Sequence, residues 1–159
     1  MNISSSQKFA IIGAGIVGTA LGFLLRRVGH EITAIADKSA AHLKRALAYT
    51  GGESFLLPQK AIKKADCILI TTSDDAIAGV CRKIAAGNNL TEKIVFHVSG
   101  AGSLDLLEPA RQAGAHIASI HPIQSFSSID NAIQNIPGSV FGITADKKIK
   151  KWAKDMKLG

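Results

Sequence analysis

Apolar positions along this chain switch between two periods, and the switching outlines its elements. Short, mainly apolar runs at Phe9 to Ile12, Glu31 to Ala36, Cys67 to Thr72, Lys93 to Val98 and His116 to Ile120 suit strands. Most lack polar alternation, as expected where both faces of a strand are buried. After the first run, Ile16, Val17, Ala20, Leu21, Leu24, Leu25 and Val28 recur at helical spacing, and Gly29 is placed to end that helix. The spacing predicts further helices over Lys38 to Tyr49, with Ser39 as N-cap and a break at Thr50-Gly51-Gly52, and over Gln59 to Lys64. Three more are expected over Asp75 to Ala86, Ser103 to Ala113 and Asp146 to Lys157, with short strands at Glu53 to Leu57 and Val140 to Ile143. Strand and helix therefore alternate. That pattern predicts one α/β domain, a mostly parallel sheet with helices on both faces and Cys67 to Thr72 as its central fourth strand.

The turn after the first strand narrows the class. Gly13 to Gly18 reads G-A-G-I-V-G, the spacing of a dinucleotide-binding fingerprint. Gly13 suits the tight turn, Gly15 lets backbone approach a pyrophosphate, and Gly18 lets the following helix pack on the strand. The phosphates then face a helix N-terminus, where unpaired N–H groups and the dipole favour an anion. Ala14, Ile16 and Val17 belong to this contact through their backbones. Because the turn sits between a strand and a helix within a strand-turn-helix-strand unit, the expected fold is Rossmann-type and doubly wound.

Composition removes several alternatives. A chain of 159 residues, 47% hydrophobic, builds one domain with a sizeable core. Met1 to Lys8 is polar, and glycines and arginines interrupt the first apolar stretch, so neither a membrane span nor a secretory signal is expected. A cytoplasmic location is the default. Cys67 and Cys81 lack metal-ligand spacing and read as buried thiols, and no metal site is expected. Much of the formal charge of +7 comes from Lys147, Lys148, Lys150, Lys151, Lys154 and Lys157. This lysine-rich helix, with Trp152, reads as a solvated surface rather than a nucleic-acid site.

In open α/β sheets ligands sit beyond the carboxyl ends of the strands, so each strand end holds candidates. Asp37 follows the second strand, where a carboxylate suits the adenosine ribose hydroxyls of NAD. Lys38 and Ser39 beside it suit the 2′-phosphate of NADP, and both cofactors stay open. Asp37 and Ser39 also fit helix capping. After the fourth strand, Thr72, Ser73 and Asp74 fall near the nicotinamide ribose, with Asp74 or Asp75 an alternative helix cap. Ser99 and Gly100 follow the fifth strand, and His121-Pro122 the sixth. His121 is the candidate catalytic or substrate-contacting residue, because imidazole transfers protons near neutral pH. A His-Pro pair also serves simply to shape a turn. His97 is expected to point into packing and His30 to lie in a loop, while Ser99 lacks the G-x-S-x-G context of a hydrolase nucleophile.

The segments G-A-G-I-V-G at Gly13 to Gly18, T-T-S-D-D-A-I at Thr71 to Ile77, H-V-S-G-A-G-S-L-D-L-L at His97 to Leu107 and S-I-H-P-I-Q-S-F at Ser119 to Phe126 carry a resemblance. Together they resemble bacterial Rossmann-like proteins that carry a helical C-terminal domain of unknown function 2520. That group is similar to pyrroline-5-carboxylate reductase, the 6-phosphogluconate and 3-hydroxyisobutyrate dehydrogenases and the deazaflavin-dependent NADP reductases. The resemblance implies an NAD(P)-dependent oxidoreductase acting on an unidentified small-molecule substrate. Because the residues offer no evident acid–base pair, a non-catalytic nucleotide-binding sensor or interaction module stays open as the alternative. Relatives often carry Ser-Arg-Ser where this chain has Asp37-Lys38-Ser39, which departs from their NADP pattern. They also continue into a helical domain that supplies homodimer contacts, closes the substrate cleft and holds the catalytic lysine of related dehydrogenases. On this resemblance residues 1–159 are expected to be the nucleotide-binding half alone.

Overall fold

Consecutive buried strands pair in parallel and set the frame of the domain. The computed structural model describes residues 5–156. Its strands are β1 (Lys8–Ile12), β2 (Glu31–Ala36), β3 (Glu53–Phe55), β4 (Cys67–Ile70), β5 (Ile94–His97), β6 (His116–Pro122) and β7 (Phe141–Ala145). They form one sheet in the order β3-β2-β1-β4-β5-β6-β7. All pairs are parallel except β6 with β7. The chain winds outward from β1 to β3, then crosses back to β4, so the strand order reverses between β1 and β4. This is the doubly wound α/β fold expected from the pattern, with β4 central.

Side chains alternate across the sheet and feed two cores. Phe9, Ile11, Leu69 and Phe96 point to one face, where α1 (Ile16–Arg27), α2 (Ala40–Thr50), α6 (Ile129–Asn135) and α7 (Lys150–Asp155) cover them. Ile12, Ile68, Ile70 and Val95 point to the other, under α3 (Pro58–Ala61), α4 (Ile77–Ala85) and α5 (Glu108–Gln112). Cys67 and Cys81 are buried free thiols within these cores, and burial pushes the Cys67 thiol up to about 12. Among the described residues no helix is long and apolar enough to cross a membrane.

The differences from expectation have local causes. α6 was not foreseen, yet its signals are present: the Ser128 hydroxyl accepts the Asn131 amide at 3.0 Å, and Ile129, Ala132 and Ile136 are buried at helical spacing. β6 runs past Ile120, so His121 and Pro122 are strand residues opposite Gly142 and Phe141 rather than a turn. Three helices open as 3-10 turns, at Asp74–Ala76, Leu104–Leu107 and Lys147–Ile149, before α4, α5 and α7 begin. Neither Asp74 nor Asp75 supplies a side-chain cap there. β3 stops at Phe55 and α3 at Ala61, shorter than expected, and Leu56 and Leu57 are exposed. Of the last expected helix, Lys157 lies outside the described residues.

Trp152 corrects the reading of α7 as a solvated surface. The lysines are exposed, but the indole is 3% exposed and meets Phe96 edge-on at 5.6 Å. Its Nε1–H donates to the Gln7 amide oxygen at 2.9 Å, tying α7 to the segment before β1. The helix is amphipathic, and its apolar side is core. Trp152→Ala is expected to cost about 3–5 kcal/mol in urea unfolding followed by circular dichroism. A loss below about 1 kcal/mol would mean that the indole is not part of the core.

Candidate functional site

At the end of β1 the chain turns where only glycine fits. Gly13 has φ +116°, and a Cβ there would lie 2.7–2.8 Å from the backbone of Thr71 and Thr72 beyond β4. A Cβ on Gly18 would meet the Gly13 carbonyl oxygen at 2.1 Å. Thr71 reinforces the approach, its hydroxyl donating to the same oxygen at 2.8 Å. Gly15 differs: nothing lies within 4 Å of its missing Cβ. It is the N-cap of α1, makes no side-chain cap bond, and is followed by no acidic residue in the first turn. The first amides of α1 are thus open to an anion.

These residues border a cleft of about 470 Å³ at the point where strand order reverses. Of the sequence candidates, Gly13, Gly15, Asp37, Lys38, Thr72 and Ser73 line it. Ala14 and Gly18 are buried beneath it, while Ile16 and Val17 pack their side chains against the core. Ser39 caps α2, its hydroxyl accepting the His42 amide at 3.2 Å. Asp37 Oδ2 accepts the Ala14 amide and Oδ1 the Ser39 amide, each at 2.8 Å. His42 Nδ1 stands 3.5 Å from Oδ1. Asp37 therefore ties the glycine turn to the start of α2. Sequence reading missed Thr71, His42, Pro58, Val80 and Lys83, which also line the cleft. His42 and Lys83 resemble ordinary solvated positions on their helices, so composition carries no signal for them.

Asp74, Ser99, Gly100 and His121 fall outside that lining and gather farther along the same edge of the sheet. His97, buried as expected, receives the Ser99 amide on Nδ1 at 3.1 Å and holds the Ser103 carbonyl oxygen 3.0 Å from Nε2. Burial holds its pKa below the ordinary 6.5, and the nearby His121 adds to this, opposed by the Ser103 contact and Asp74. Ser99 Oγ accepts the Gly102 amide at 3.1 Å, which closes the loop internally. The His121 ring lies against Gly100, whose added Cβ would stand 3.2 Å from Nδ1, and against Gly142, whose Cβ would stand 2.3 Å from Nε2. Among the described residues no group of three or more His, Cys, Asp or Glu side chains could hold a metal.

The chain belongs to the Rossmann-like domain family, which matches residues 3–122. Among solved structures it is similar to a presumed NADP oxidoreductase from Bacteroides fragilis, with 20% identity and a TM-score of 0.81 over 94% of this chain and 56% of that one. Prephenate dehydrogenase from A. aeolicus, solved with hydroxyphenyl propionate and NAD+, gives 19%, 0.74, 96% and 55%. Pyrroline-5-carboxylate reductase from Coxiella burnetii gives 14%, 0.73, 95% and 54%. The chain thus spans about half the length of these structures, and at such identities the likeness is one of fold. No curated protein sequence matches it.

Two measurements check this geometry. Gly18→Ala is expected to destabilise the domain by about 2 kcal/mol or more, because the clash is with backbone. Gly15→Ala should stay within about 0.5 kcal/mol of the parent in the same urea titration; equal losses would contradict the packing described. His97 supplies the second. Above pH 6.5 its folded and unfolded forms are both neutral, whereas below 6.5 the unfolded chain gains a proton that the folded one resists. Stability should fall as pH drops from 6.5 until His97 titrates in the fold, and the fall should be smaller in His97→Asn. Parallel pH profiles for the two would overturn this.

Proposed function

We propose that this is the nicotinamide-dinucleotide-binding domain of an oxidoreductase acting on a small carbonyl, imine or hydroxy-acid substrate. One observation carries the reading: the uncapped start of α1 at Gly15, with open space where a Cβ would be, borders a cleft at the switch point of the sheet. The fit extends to the cleft's size, which lies within the range of cofactor sites. The amides from Gly15 to Val17 would hold the pyrophosphate, and Asp37, Lys38 and His42 would surround the adenosine ribose. Thr72 and Ser73 would lie under the middle of the cofactor, and Ser99, Gly100 and His121 beside its reactive end. A nicotinamide bound there supplies or accepts a hydride; His121 would hold or move the accompanying proton. The names of the similar structures support this class, and the resemblance supports a further helical domain that completes the substrate site and pairs two copies.

NADP is the favoured dinucleotide. Both Asp37 oxygens already accept backbone amides, while Lys38 and Lys83 bring positive charge to the same cleft. A 2′-phosphate would meet cations there, and the acceptor sites left on Asp37 would still take a ribose hydroxyl.

Titration with NADPH and NADH, followed by nicotinamide fluorescence, tests both steps. NADPH is expected to bind more tightly, and Gly15→Asp, which sets a carboxylate against the pyrophosphate in open space, should abolish binding of both with an unchanged circular-dichroism spectrum. Lys38→Ala combined with Lys83→Ala should weaken NADPH about tenfold, or about 1.4 kcal/mol, and leave NADH unchanged. Binding of neither nucleotide at millimolar concentration would refute the cofactor role.

A further inference from the structure

We propose that His97 is a positioning residue for His121: its neutral ring folds the loop after β5 so that Gly100 forms one wall of the slot holding His121. Gly142 of β7 forms the other wall. The proposal rests on the reading of His121 as the group that meets substrate.

His97 ends β5 with its side chain wholly buried, where an aliphatic residue would serve packing alone. Its two nitrogens instead span the loop. Nδ1 accepts from the Ser99 amide, so Nε2 must carry the proton that meets the Ser103 carbonyl. The Nε2–H tautomer alone satisfies both contacts, and a protonated ring would lose the first. Asp74 on the loop after β4 favours the cation, while burial and His121 oppose it.

Between these two anchors the loop has little freedom. The Gly102 amide is held by Ser99 Oγ, and a Cβ on Gly102 would stand 3.2 Å from His97 Cε1 and 2.6 Å from Leu106 Cδ1. The ring thus packs against the segment it tethers, and Gly100 is carried onto His121. Gly142 faces His121 in the β6–β7 register, and its missing Cβ leaves the room that Nε2 occupies. The half-buried His121 ring makes no hydrogen bond to another described residue. Steric walls therefore orient it.

Histidine ring NMR on the full 15N-labelled chain tests this without any nucleotide present, with His121→Asn used for assignment. His97 is expected as the Nε2–H tautomer at neutral pH. Gly142→Ala should displace the His121 ring signals well beyond a line width with the circular-dichroism spectrum intact, since the atom it meets is the tip of a side chain. His97→Leu should displace the same signals, and His97→Asn, which keeps an acceptor for the Ser99 amide, should displace them less. The Nδ1–H tautomer at His97, or His121 signals unmoved by Gly142→Ala, would overturn the proposal. So would equal displacement in the Leu and Asn variants. Should the Leu variant fail to fold, the tautomer and Gly142→Ala still decide. NADPH titration separates the two claims: ring behaviour as expected without NADPH binding refutes the cofactor role alone, and the converse refutes the positioning role alone.

Discussion

Where β1 ends, three stretches of backbone approach more closely than any side chain would allow. A Cβ on Gly18 would fall 2.1 Å from the Gly13 carbonyl oxygen, and one on Gly13 would meet the backbone beyond β4. This approach sets the position of α1, because the helix must start against the strand it follows. It also locks β4 to β1 through Thr71 at the place where strand order reverses. The cleft exists because neighbouring connections leave in opposite directions from that point. With the α1 N-terminus aimed there and no side chain capping it, cleft and anion site follow from one packing constraint.

Much of the fold was legible because parallel strands buried on both faces leave an unmistakable trace. Runs such as Cys-Ile-Leu-Ile in β4 and Ile-Val-Phe-His in β5 tolerate no polar alternation. Elements near the antiparallel edge were less legible. α6 is only two turns long, and its capping serine sits in a polar stretch that reads as loop. Trp152 was hidden by its neighbours: the surrounding lysines dominate any average, and a single buried aromatic shows only when helical phase is followed residue by residue. The extension of β6 through His121 and Pro122 depends on pairing with β7, a tertiary fact that local sequence does not encode.

The candidate site divides in the same way. The glycine turn was legible because its spacing is a direct steric requirement. His42 and Lys83 were not, since an exposed polar side chain on a helix looks the same whether it borders a cleft or bulk solvent. Asp37 shows a subtler limit. Its place after β2 suggests either contact with a ribose or a capping role, and its carboxylate both lines the cleft and accepts the Ala14 and Ser39 amides. A strand-end carboxylate has acceptor sites enough to serve both a ligand and the loop that receives it.

Three side chains tether the loops at this edge to backbone: Asp37 to the glycine turn, Thr71 to the Gly13 carbonyl, and His97 to both ends of the loop after β5. Each is a partly or fully buried polar group, and each is satisfied, so their burial escapes the penalty of an unpaired group. Such tethers order the loops before a ligand arrives, which lowers the entropy lost on binding. Lys38 and Lys83 at the rim are exposed and not held in this way. The edge of the sheet thus separates two tasks: satisfied buried bonds shape the cavity, and unconstrained surface charge remains free to meet whichever anion enters it.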